Sequence, residues 1–479
     1  MNRARLIKLC IALIIPLIVL LIPREAIPID GLTVTMHRVL AIFALALCLW
    51  VLEPIPIFAT SVVVIVLELL VISDKSIKWL MPGDAAAEGF GEVLSYKAIM
   101  ATMADPIIML FLGGFFLGAA ATKYQMDNNL GRVLLRPFGT RSSLVLLGMM
   151  VITAIFSMFM SNTATTAMML AVLMPVLRSI DKDDPARLGF ALAIPFAANI
   201  GGIGTPIGTP PNAVGLKYLR DAGGQPLISF SEWMMFAVPF VVVLLLAAWL
   251  LLLLFFKPKQ PQLKVEFKGR WLRSGQAWIV YVTSAVTILL WLTGGRVHGL
   301  TSHTVALIPV AVFCCTGVMT SADLKTLSWD VLWLVAGGFA LGLALEGTGL
   351  SAALVQSIPF ETFPALLIIG IAVALTYTMA TFMSNTAAAN LVLPIMAALG
   401  ASLTSLAPMG GQMMLILVVT FSASLAMTMP ITTPPNAMAY ATGWIKTGAM
   451  ARAGGAIGVI GLALLAAMAV VLNLIGYFD

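Results

Sequence analysis

The triplet Ser-Asn-Thr occurs twice within long apolar stretches of the chain, in "MSNTATTAMM" from Met160 and in "MSNTAAANLV" from Met383. An asparagine carbonyl is a hard oxygen ligand for a small cation, while its NH₂ group can donate to a carboxylate. Serine and threonine hydroxyls can take either role. One such triplet alone is more often a hydrogen-bonding contact between membrane helices. The duplication favours two halves of one binding site for an anion and its coupling cations.

A second motif, "TPPNA", is also duplicated, at Thr209 and at Thr433. The first copy follows "GGIGTPIG", whose glycines and proline cannot keep a helix regular. Thr209 is a good N-cap, and Pro210 suits the first position of a new helix. The free amides of this half-helix can bind an anion, and the unwound carbonyls before it can coordinate a cation. A simple proline kink is the alternative, but the matching copy favours a broken helix. The second copy has no preceding glycine, which predicts a tighter break.

Neither pair of motifs contains a lysine or an arginine. A dianion buried among them would meet only dipoles and hydroxyl groups, and burying such charge is costly. Bound cations would supply the balance, so that anion binding and cation binding depend on each other. The motifs therefore predict cation-coupled transport of an anion.

The elements that position these motifs are membrane helices. Of the 479 residues, 60% are hydrophobic and only 10% are charged, whereas about a quarter are charged in a soluble protein. The run 239–256 is one of several long enough to cross a bilayer, which takes about 20 apolar residues. The composition predicts an all-α polytopic membrane protein embedded in the lipid bilayer.

The distribution of basic residues predicts the orientation. Basic residues precede the first apolar run, and no small-residue cleavage site follows it, which favours a retained helix with a cytoplasmic N-terminus. Most basic segments then fall on the cytoplasmic side, although Lys217 and Arg220 fall outside. We expect a multi-pass protein of the plasma or inner membrane. The net charge of +6 follows from this topology and does not indicate nucleic-acid binding.

The motifs belong to an internal repeat. "GGFFLGAA" at Gly113 recurs as "GGFALGLA" at Gly337, and "SNTA" and "TPPNA" recur in the same order at nearly the same offset. An odd number of predicted spans separates the copies, so the two halves should have opposite orientations. Inverted repeats with interrupted helices are typical of secondary transporters, whose substrates and ions bind near the middle of the membrane.

The predicted organisation has five parts. Residues 1–100 form N-terminal scaffold helices, 101–256 the first repeat, 257–276 a basic cytoplasmic linker, 277–330 further scaffold helices and 331–479 the second repeat. Each repeat contains a hairpin (about 142–177 and 364–401) and a broken helix (about 188–218 and 412–442).

With "SNTATTAMML", "SNTAAANLVLPI" and both "TPPNA" motifs, the chain resembles the divalent-anion:sodium symporter family of di- and tricarboxylate carriers. The resemblance covers essentially the whole chain. It implies about eleven transmembrane helices plus two re-entrant hairpins, a homodimer, and an elevator movement of a transport domain against a scaffold.

The resemblance also implies roles for individual residues. Those expected to bind the anion are Asn162, Thr163, Thr209, Asn385, Thr386, Thr433 and Pro434. Those expected to bind sodium ions are Ser157, Ser161, Asn162 and Gly208 at one site, and Met383, Asn385 and Thr432 at the other. One position departs from the family pattern: Ala380 stands where a threonine is frequent, with Thr381 next to it, so a ligand of the second sodium is lost or shifted.

Together these observations favour a sodium-coupled importer of small dicarboxylates such as succinate, malate or fumarate. The Ala380 departure keeps a sodium-independent dicarboxylate exchanger as an alternative, and an anion channel is a weaker one because broken helices favour alternating access. An enzyme is not indicated, because the sequence has no HExxH, Walker-type or His/Asp/Cys pattern. For the acids Glu53, Asp105, Asp330 and Glu346 we expect helix-end or interfacial roles.

Overall fold

The computed structural model describes residues 3–81, 89–181, 183–220, 226–263 and 272–478. Regular structure in these ranges is helical, apart from isolated β-bridges. The helices of the first part are α1 (Arg3–Leu21), α2 (Val34–Leu52), α3 (Ile57–Val71), α4 (Tyr96–Ala101), α5 (Pro106–Lys123), α6 (Met126–Leu135), α7 (Ser142–Phe159), α8 (Asn162–Ser179), α9 (Ala186–Ile203), α10 (Pro210–Tyr218) and α11 (Phe230–Phe255).

The helices of the second part are α12 (Gly275–His298), α13 (Ser302–Cys315), α14 (Ser321–Leu324), α15 (Trp329–Gly347), α16 (Leu350–Gln356), α17 (Ala365–Phe382), α18 (Asn385–Ser402), α19 (Gly411–Leu425), α20 (Pro434–Ala441) and α21 (Thr447–Leu474). Short 3₁₀ turns connect several of them. The predicted linker 257–276 lies partly outside the described residues, which end at 263 and resume at 272.

Eleven of the described helices, with α4 and α5 counted as one span, are long and apolar enough to cross a membrane. This confirms the predicted all-α polytopic class. The set includes α7, α17 and α18, which belong to the predicted hairpins, and leaves out the shorter α3, α13 and α19. Length and composition therefore do not separate re-entrant helices from full spans, and the depth of the hairpins stays a prediction.

The repeated glycine pair lets each half pack against a helix of the other half. A Cβ on Gly113 in α5 would lie 2.1 Å from the carbonyl oxygen of Ala306 in α13, and one on Gly337 in α15 would lie 2.2 Å from the Cβ of Ser61 in α3. Only glycine permits so close an approach. The glycines that mark the repeat in the sequence thus lie where a helix of one half packs against a helix of the other half.

The broken helices exchange partners in the same way. The short helix α10 packs on α18 and α19 of the second half, while α20 packs on α8 and α9 of the first. The helices α9, α18 and α19 are buried along most of their length. The centre of the molecule is therefore built from the hairpins and broken helices that carry the duplicated motifs.

Candidate functional site

The serine of each Ser-Asn-Thr triplet caps a helix. The hydroxyl of Ser161 accepts a hydrogen bond from the Ala164 amide at 3.2 Å, and that of Ser384 accepts one from the Ala387 amide at 3.4 Å. Asn162 and Asn385 consequently occupy the first positions of α8 and α18. The first amides of a helix have no partner within the helix, so each triplet places hydrogen-bond donors at a helix N-terminus.

Both "TPPNA" motifs begin a new helix after a break, as predicted. The N-cap of α10 is Thr209 and that of α20 is Thr433, and a proline follows each of them. The two threonines differ in their contacts. The Thr433 hydroxyl accepts from the Asn436 amide at 3.3 Å, whereas the Thr209 side chain makes no capping hydrogen bond. Its hydroxyl is free to contact a bound molecule.

The prediction of a tighter second break is wrong. The first break runs from 204 to 209 and the second from 426 to 433. Glycines allow the first break to be short, because the backbone at Gly208 approaches that of Gly202 closely. A Cβ on Gly208 would lie 2.3 Å from the carbonyl oxygen of Gly202. The second segment lacks glycine and takes a longer path.

Sequence reasoning missed the role of the asparagine in each "TPPNA" motif. The side-chain nitrogen of Asn212 donates to the carbonyl oxygens of Thr205 at 2.8 Å and Gly202 at 3.2 Å. The side-chain nitrogen of Asn436 donates to the carbonyl oxygens of Met427 at 2.9 Å and Met429 at 3.1 Å. Both side chains thus satisfy carbonyls that the helix break leaves open. Their duplication was the signal in the sequence.

A cavity of about 600 Å³ is lined by residues of both halves. Phe58, Phe111 and Phe115 contribute apolar surface to it. Its lining includes every residue predicted to bind the anion: Asn162, Thr163, Thr209, Asn385, Thr386, Thr433 and Pro434. The structure therefore brings together side chains that lie more than 200 residues apart in the sequence.

Three further residues predicted to bind sodium, Ser161, Gly208 and Thr432, also line the cavity. Ser157 and Met383 are not part of the lining, and both are buried. The Ser157 hydroxyl donates to the Ala198 carbonyl oxygen at 2.7 Å and contacts the side-chain amide of Asn162. Ser157 thus connects the first hairpin to α9.

The side-chain amide of Asn162 faces several oxygens. One of its two polar atoms lies 2.9 Å from the carbonyl oxygen of Gly208 and 3.2 Å from that of Ala198. With the NH₂ group in this position, the side chain donates to these oxygens and its hydrogen bonds are satisfied without an ion. In the other orientation the side-chain oxygen faces them, which requires a cation between the oxygens. That orientation provides four oxygens from Asn162, Ser157, Gly208 and Ala198, which is a ligand set that suits a small hard cation.

The corresponding residues of the second half differ. The backbone N–H of Asn385 donates to the Thr432 carbonyl oxygen at 3.2 Å. The side-chain oxygen of Asn385 is buried without a partner among the described residues. Ala380 is fully buried, while the Thr381 hydroxyl donates to the Tyr377 carbonyl within its own helix at 2.8 Å. Thr381 therefore does not replace the hydroxyl that Ser157 supplies in the first half.

The charges around the cavity are acidic. Its described lining contains no lysine, arginine or histidine, but it does contain Glu53 and Asp330. Glu53 is the C-cap of α2 with a left-handed backbone (φ 49°), and Asp330 lies in the first turn of α15. The expected helix-end positions are found, but sequence reasoning missed that both acids reach the cavity. An anion bound here would find no positively charged side chain.

A smaller cavity of about 300 Å³ shares Phe115, Ser161 and Ser328 with the first one. It is also lined by Lys123 and Asp323, whose Nζ and Oδ2 atoms form an ion pair at 2.6 Å. Hydrogen bonds from Lys123 and Thr320 lower the pKa of Asp323 to about 2. The Lys123–Asp323 ion pair connects the end of α5 to α14, just before α15.

Interrupted helices from two sequence repeats, arranged around one cavity in a polytopic helical membrane protein, define a membrane transport protein. The family model described as citrate transporter (CitMHS) matches residues 47–410. The chain belongs to this family, as its resemblance to divalent-anion:sodium symporters predicted, and is a transporter rather than an enzyme.

Similar proteins agree with this assignment. A protein of Haemophilus influenzae described as an uncharacterized transporter is 30% identical over 81% of this chain and 85% of its own length. The sodium-dependent dicarboxylate transporter SdcS of Staphylococcus saprophyticus is 28% identical over 86% of this chain and 82% of its own. The inorganic phosphate transporter PHO87 of Saccharomyces cerevisiae is 28% identical over 77% of this chain, but over only 39% of its own length.

The solved structure of the YdaH transporter of Alcanivorax borkumensis is similar in fold alone. It aligns with a TM-score of 0.53 at 13% identity, covering 88% of this chain and 98% of the other.

Proposed function

We propose that the protein is a secondary active transporter that imports small dicarboxylates of the succinate, malate or fumarate type together with sodium ions. One observation carries this proposal. All residues that the family resemblance assigns to the anion line a single cavity whose described lining has no basic side chain. Because burying a dianion without a positively charged side chain, in a cavity that also contains Glu53 and Asp330, is costly, a co-bound cation is the simplest way to balance its charge.

The two helix N-termini and the two N-cap threonines would hold the anion. Asn162 and Thr163 would contact one carboxylate with the free hydroxyl of Thr209, and Asn385 and Thr386 the other with Thr433 and Pro434. Backbone amides at a helix N-terminus favour anions through their dipoles and their unpaired N–H groups. A molecule with two carboxylates a few ångströms apart suits this paired arrangement.

Two sodium sites would flank the anion. The first is supported by the oxygen cluster of Ser157, Asn162 and Gly208, with Ser161 beside it. The second, formed by Met383, Asn385 and Thr432, has the unpartnered side-chain oxygen of Asn385. It lacks a hydroxyl from α17, so we expect weaker cation binding there than at the first site.

The relatives support an anion cargo and sodium coupling. SdcS is a sodium-dependent dicarboxylate transporter, while PHO87 carries inorganic phosphate. A sodium-independent dicarboxylate exchanger is the second candidate, and the Ala380 position favours it. An anion channel agrees less well with the broken helices.

We also propose which helices move during transport, how many copies assemble and in which membrane the protein lies. The hairpins α7–α8 and α17–α18 and the broken helices α9–α10 and α19–α20 would move as a transport domain. The scaffold would include α2, α3, α5, α13 and α15, and two copies would form a homodimer. We place the protein in the plasma or inner membrane with a cytoplasmic N-terminus.

Uptake of radiolabelled succinate into proteoliposomes tests the function. With an inward sodium gradient we expect accumulation, and without the gradient or with potassium in its place we expect only background. Uptake that ignores sodium but requires internal dicarboxylate would replace symport by exchange. A succinate current without any coupling would establish a channel.

Single variants test the site. Asn162→Ala and Asn385→Ala should each abolish uptake in a protein that still purifies as a folded species. Asn473→Ala is the matched control, because Asn473 makes one side-chain hydrogen bond, to the Pro408 carbonyl oxygen, and neither residue lines the cavity. Near-normal uptake in either cavity variant would contradict the assignment.

A further inference from the structure

A second cavity is separate from the large cavity of about 600 Å³ that the duplicated motifs line. Its volume is about 220 Å³, and the described linings of the two cavities share no residue. Arg220 and His303 belong to the described lining of the second cavity, which contains no acid. The large cavity has the opposite composition, with Glu53 and Asp330 but no base in its described lining. The second cavity is therefore the one in which an anion would meet a positively charged side chain.

The internal repeat relates the second cavity to one wall of the large cavity. Counted from the first glycine of the repeated pair, Ile107 and Leu110 on α5 correspond to Val331 and Leu334 on α15. The α5 residues line the second cavity, and the α15 residues line the large one. Equivalent positions of the two repeats thus border two different cavities.

The helices that pack against these glycines show the same correspondence. The first glycine of each pair approaches Ala306 on α13 or Ser61 on α3. Counted from these two residues, 301–303 at the start of α13 correspond to 56–58 at the start of α3, and they line the second and the large cavity respectively. Since the repeats are expected to have opposite orientations, the second cavity is the counterpart of the α3–α15 wall on the opposite side of the membrane.

A thin partition separates the two cavities. Pro206 lines the second cavity, and its neighbour Ile207 lines the large one. Leu110 and Phe111 of α5 divide in the same way. The Cδ1 atom of Ile207 lies 3.3 Å from the position that a Cβ on Gly114 would take, so the break before α10 packs directly on α5. If that break separates from α5, the motifs become accessible through the second cavity.

Arg220 has unused hydrogen-bond donors. Its Nη2 atom donates to the Oδ1 atom of Asp105 at 3.0 Å, and this is its side-chain hydrogen bond among the described residues. Asp105 also caps α5 by accepting from the Ile107 amide at 2.9 Å, and it does not line the second cavity. A guanidinium has five N–H donors. Asp105 thus positions Arg220 while the remaining donors can bind a carboxylate in the bidentate way that arginine favours.

The distribution of basic residues also distinguishes Arg220. Lys217 and Arg220 are the bases that the predicted topology places outside. Lys217 is held by α15, since its Nζ atom donates to the carbonyl oxygen of Phe339 at 2.6 Å and lies 4.4 Å from the centre of that ring. Arg220 makes no such contact with a carbonyl among the described residues. A role in anion binding accounts for a base on this side.

We propose that the second cavity is the outer entry site for the anion and that Arg220 is the residue that binds it there. A small dicarboxylate pairs with the guanidinium while the partition is closed, and reaches Asn162 and Thr209 when the break moves away from α5. The entry role rests on the alternating access and the orientation proposed above, whereas anion binding at Arg220 does not. A positively charged entry site raises the local concentration of an anion and its rate of association.

Modification of arginine by phenylglyoxal tests anion binding without transport. The purified full-length protein is treated in a nonionic detergent without added lipid, so that a lipid headgroup cannot act as the anion. Mass spectrometry then measures modification of Arg220, whose side chain is 23% exposed. Succinate should slow this modification several-fold, and sodium chloride at the same ionic strength should not. Arg136, which is exposed and lines neither cavity, should not be protected.

The variant Asn162→Ala shows where the protecting succinate binds. Protection of Arg220 should persist in this variant, because its altered residue lies in the large cavity. Loss of protection there would place the binding in the large cavity and overturn the proposal. Equal modification of Arg220 with and without succinate in the wild type, or no modification at all, would overturn it as well.

Succinate uptake by intact cells that express the variants tests the entry role, since the outer side then faces the medium. Arg220→Gln should raise the succinate concentration for half-maximal uptake several-fold, and Arg220→Lys should restore part of the loss. Asp105→Asn should not raise it, because asparagine caps a helix about as well as aspartate and the base remains. Lys123→Gln, which removes the base of the other ion pair, is the matched control and should resemble the wild type.

A merely structural ion pair gives a different result. In that case Arg220→Gln and Asp105→Asn would weaken uptake alike, which overturns the entry role. If the wild type takes up no succinate, the proposed function is wrong, and the protection of Arg220 still decides the anion site. If Arg220→Gln does not fold, a raised half-maximal concentration in Arg220→Lys supports the entry role, and a wild-type value overturns it.

Discussion

The side-chain nitrogen of Asn199 donates to the side-chain oxygen of Asn436 at 3.0 Å, and both residues are buried. Asn199 lies on α9 in the first half, and Asn436 lies on α20 in the second. Asn436 also donates to the carbonyl oxygens of Met427 and Met429. This contact joins the two broken helices directly, next to the residues that line the cavity.

Replacement of Asn436 by alanine should destabilise the protein. The carbonyls of Met427 and Met429 would lose their donor, and a buried group left unsatisfied costs about 1–3 kcal/mol. We expect a lower midpoint of thermal unfolding in detergent, with Asn473→Ala as the control. An unchanged midpoint for Asn436→Ala would contradict the capping role.

The two N-cap threonines should respond differently to valine. Thr433→Val removes a capping hydrogen bond and should lower stability by about 0.5–2 kcal/mol. Thr209→Val removes a hydroxyl without a capping bond, so it should lower succinate uptake while the thermal midpoint stays near that of the wild type. Normal succinate uptake by Thr209→Val would contradict the predicted contact of this hydroxyl with the anion.

Alanine at the repeated glycines should disrupt packing between the halves. In Gly113→Ala the new Cβ would lie 2.1 Å from a backbone oxygen that cannot rotate away, and in Gly337→Ala it would lie 2.2 Å from the Ser61 Cβ. We expect poor yield or early thermal unfolding of both. Gly370→Ala in α17 is the control because a Cβ there meets nothing within 4 Å, and alanine favours a helix by about 1 kcal/mol over glycine.

Serine at position 380 should strengthen sodium binding. It would add a buried hydroxyl at the position that corresponds to Ser157, where the second half has none. We expect half-maximal succinate uptake at a sodium concentration several-fold lower in Ala380→Ser than in the wild type. Thr381→Val should have no such effect, since the Thr381 hydroxyl bonds to its own helix. An unchanged sodium dependence in Ala380→Ser would argue against a cation at this place.

The Lys123–Asp323 pair should stay ionised throughout the usable pH range. The folded pKa of Asp323 is lowered from its usual value to about 2, so its stabilising contribution is present above the unfolded pKa and is lost only as the pH falls through the folded value. Because the pair is partly exposed, salt screens it and its effect is small. The difference in thermal midpoint between wild type and Asp323→Asn should not change from neutral to mildly acidic pH. A difference that vanishes in that range would contradict the lowered pKa.

The duplicated motifs predicted much of the cavity. "TPPNA" predicted Thr209 as an N-cap because proline and threonine have strong local preferences, and the structure gives Thr433 of the second copy the same role. The repeat predicted that both triplets converge. Glu53 and Asp330 were missed as cavity residues, since their side chains reach it only through the packing of α2, α3 and α15. The length of the second break was also missed, because it depends on how eight residues without glycine pass between packed helices.

The exchange of partners between the two halves has a consequence for biosynthesis. While the ribosome is still making the second half, α8 has no α20 to pack on, α5 has no α13, and Asn199 has no acceptor on Asn436. The first half therefore leaves the translocon with the surfaces that later contact α13 and α20 still uncovered. It reaches its native packing only when nearly the whole polypeptide has been inserted, so assembly of this protein is late and dependent on both halves at once.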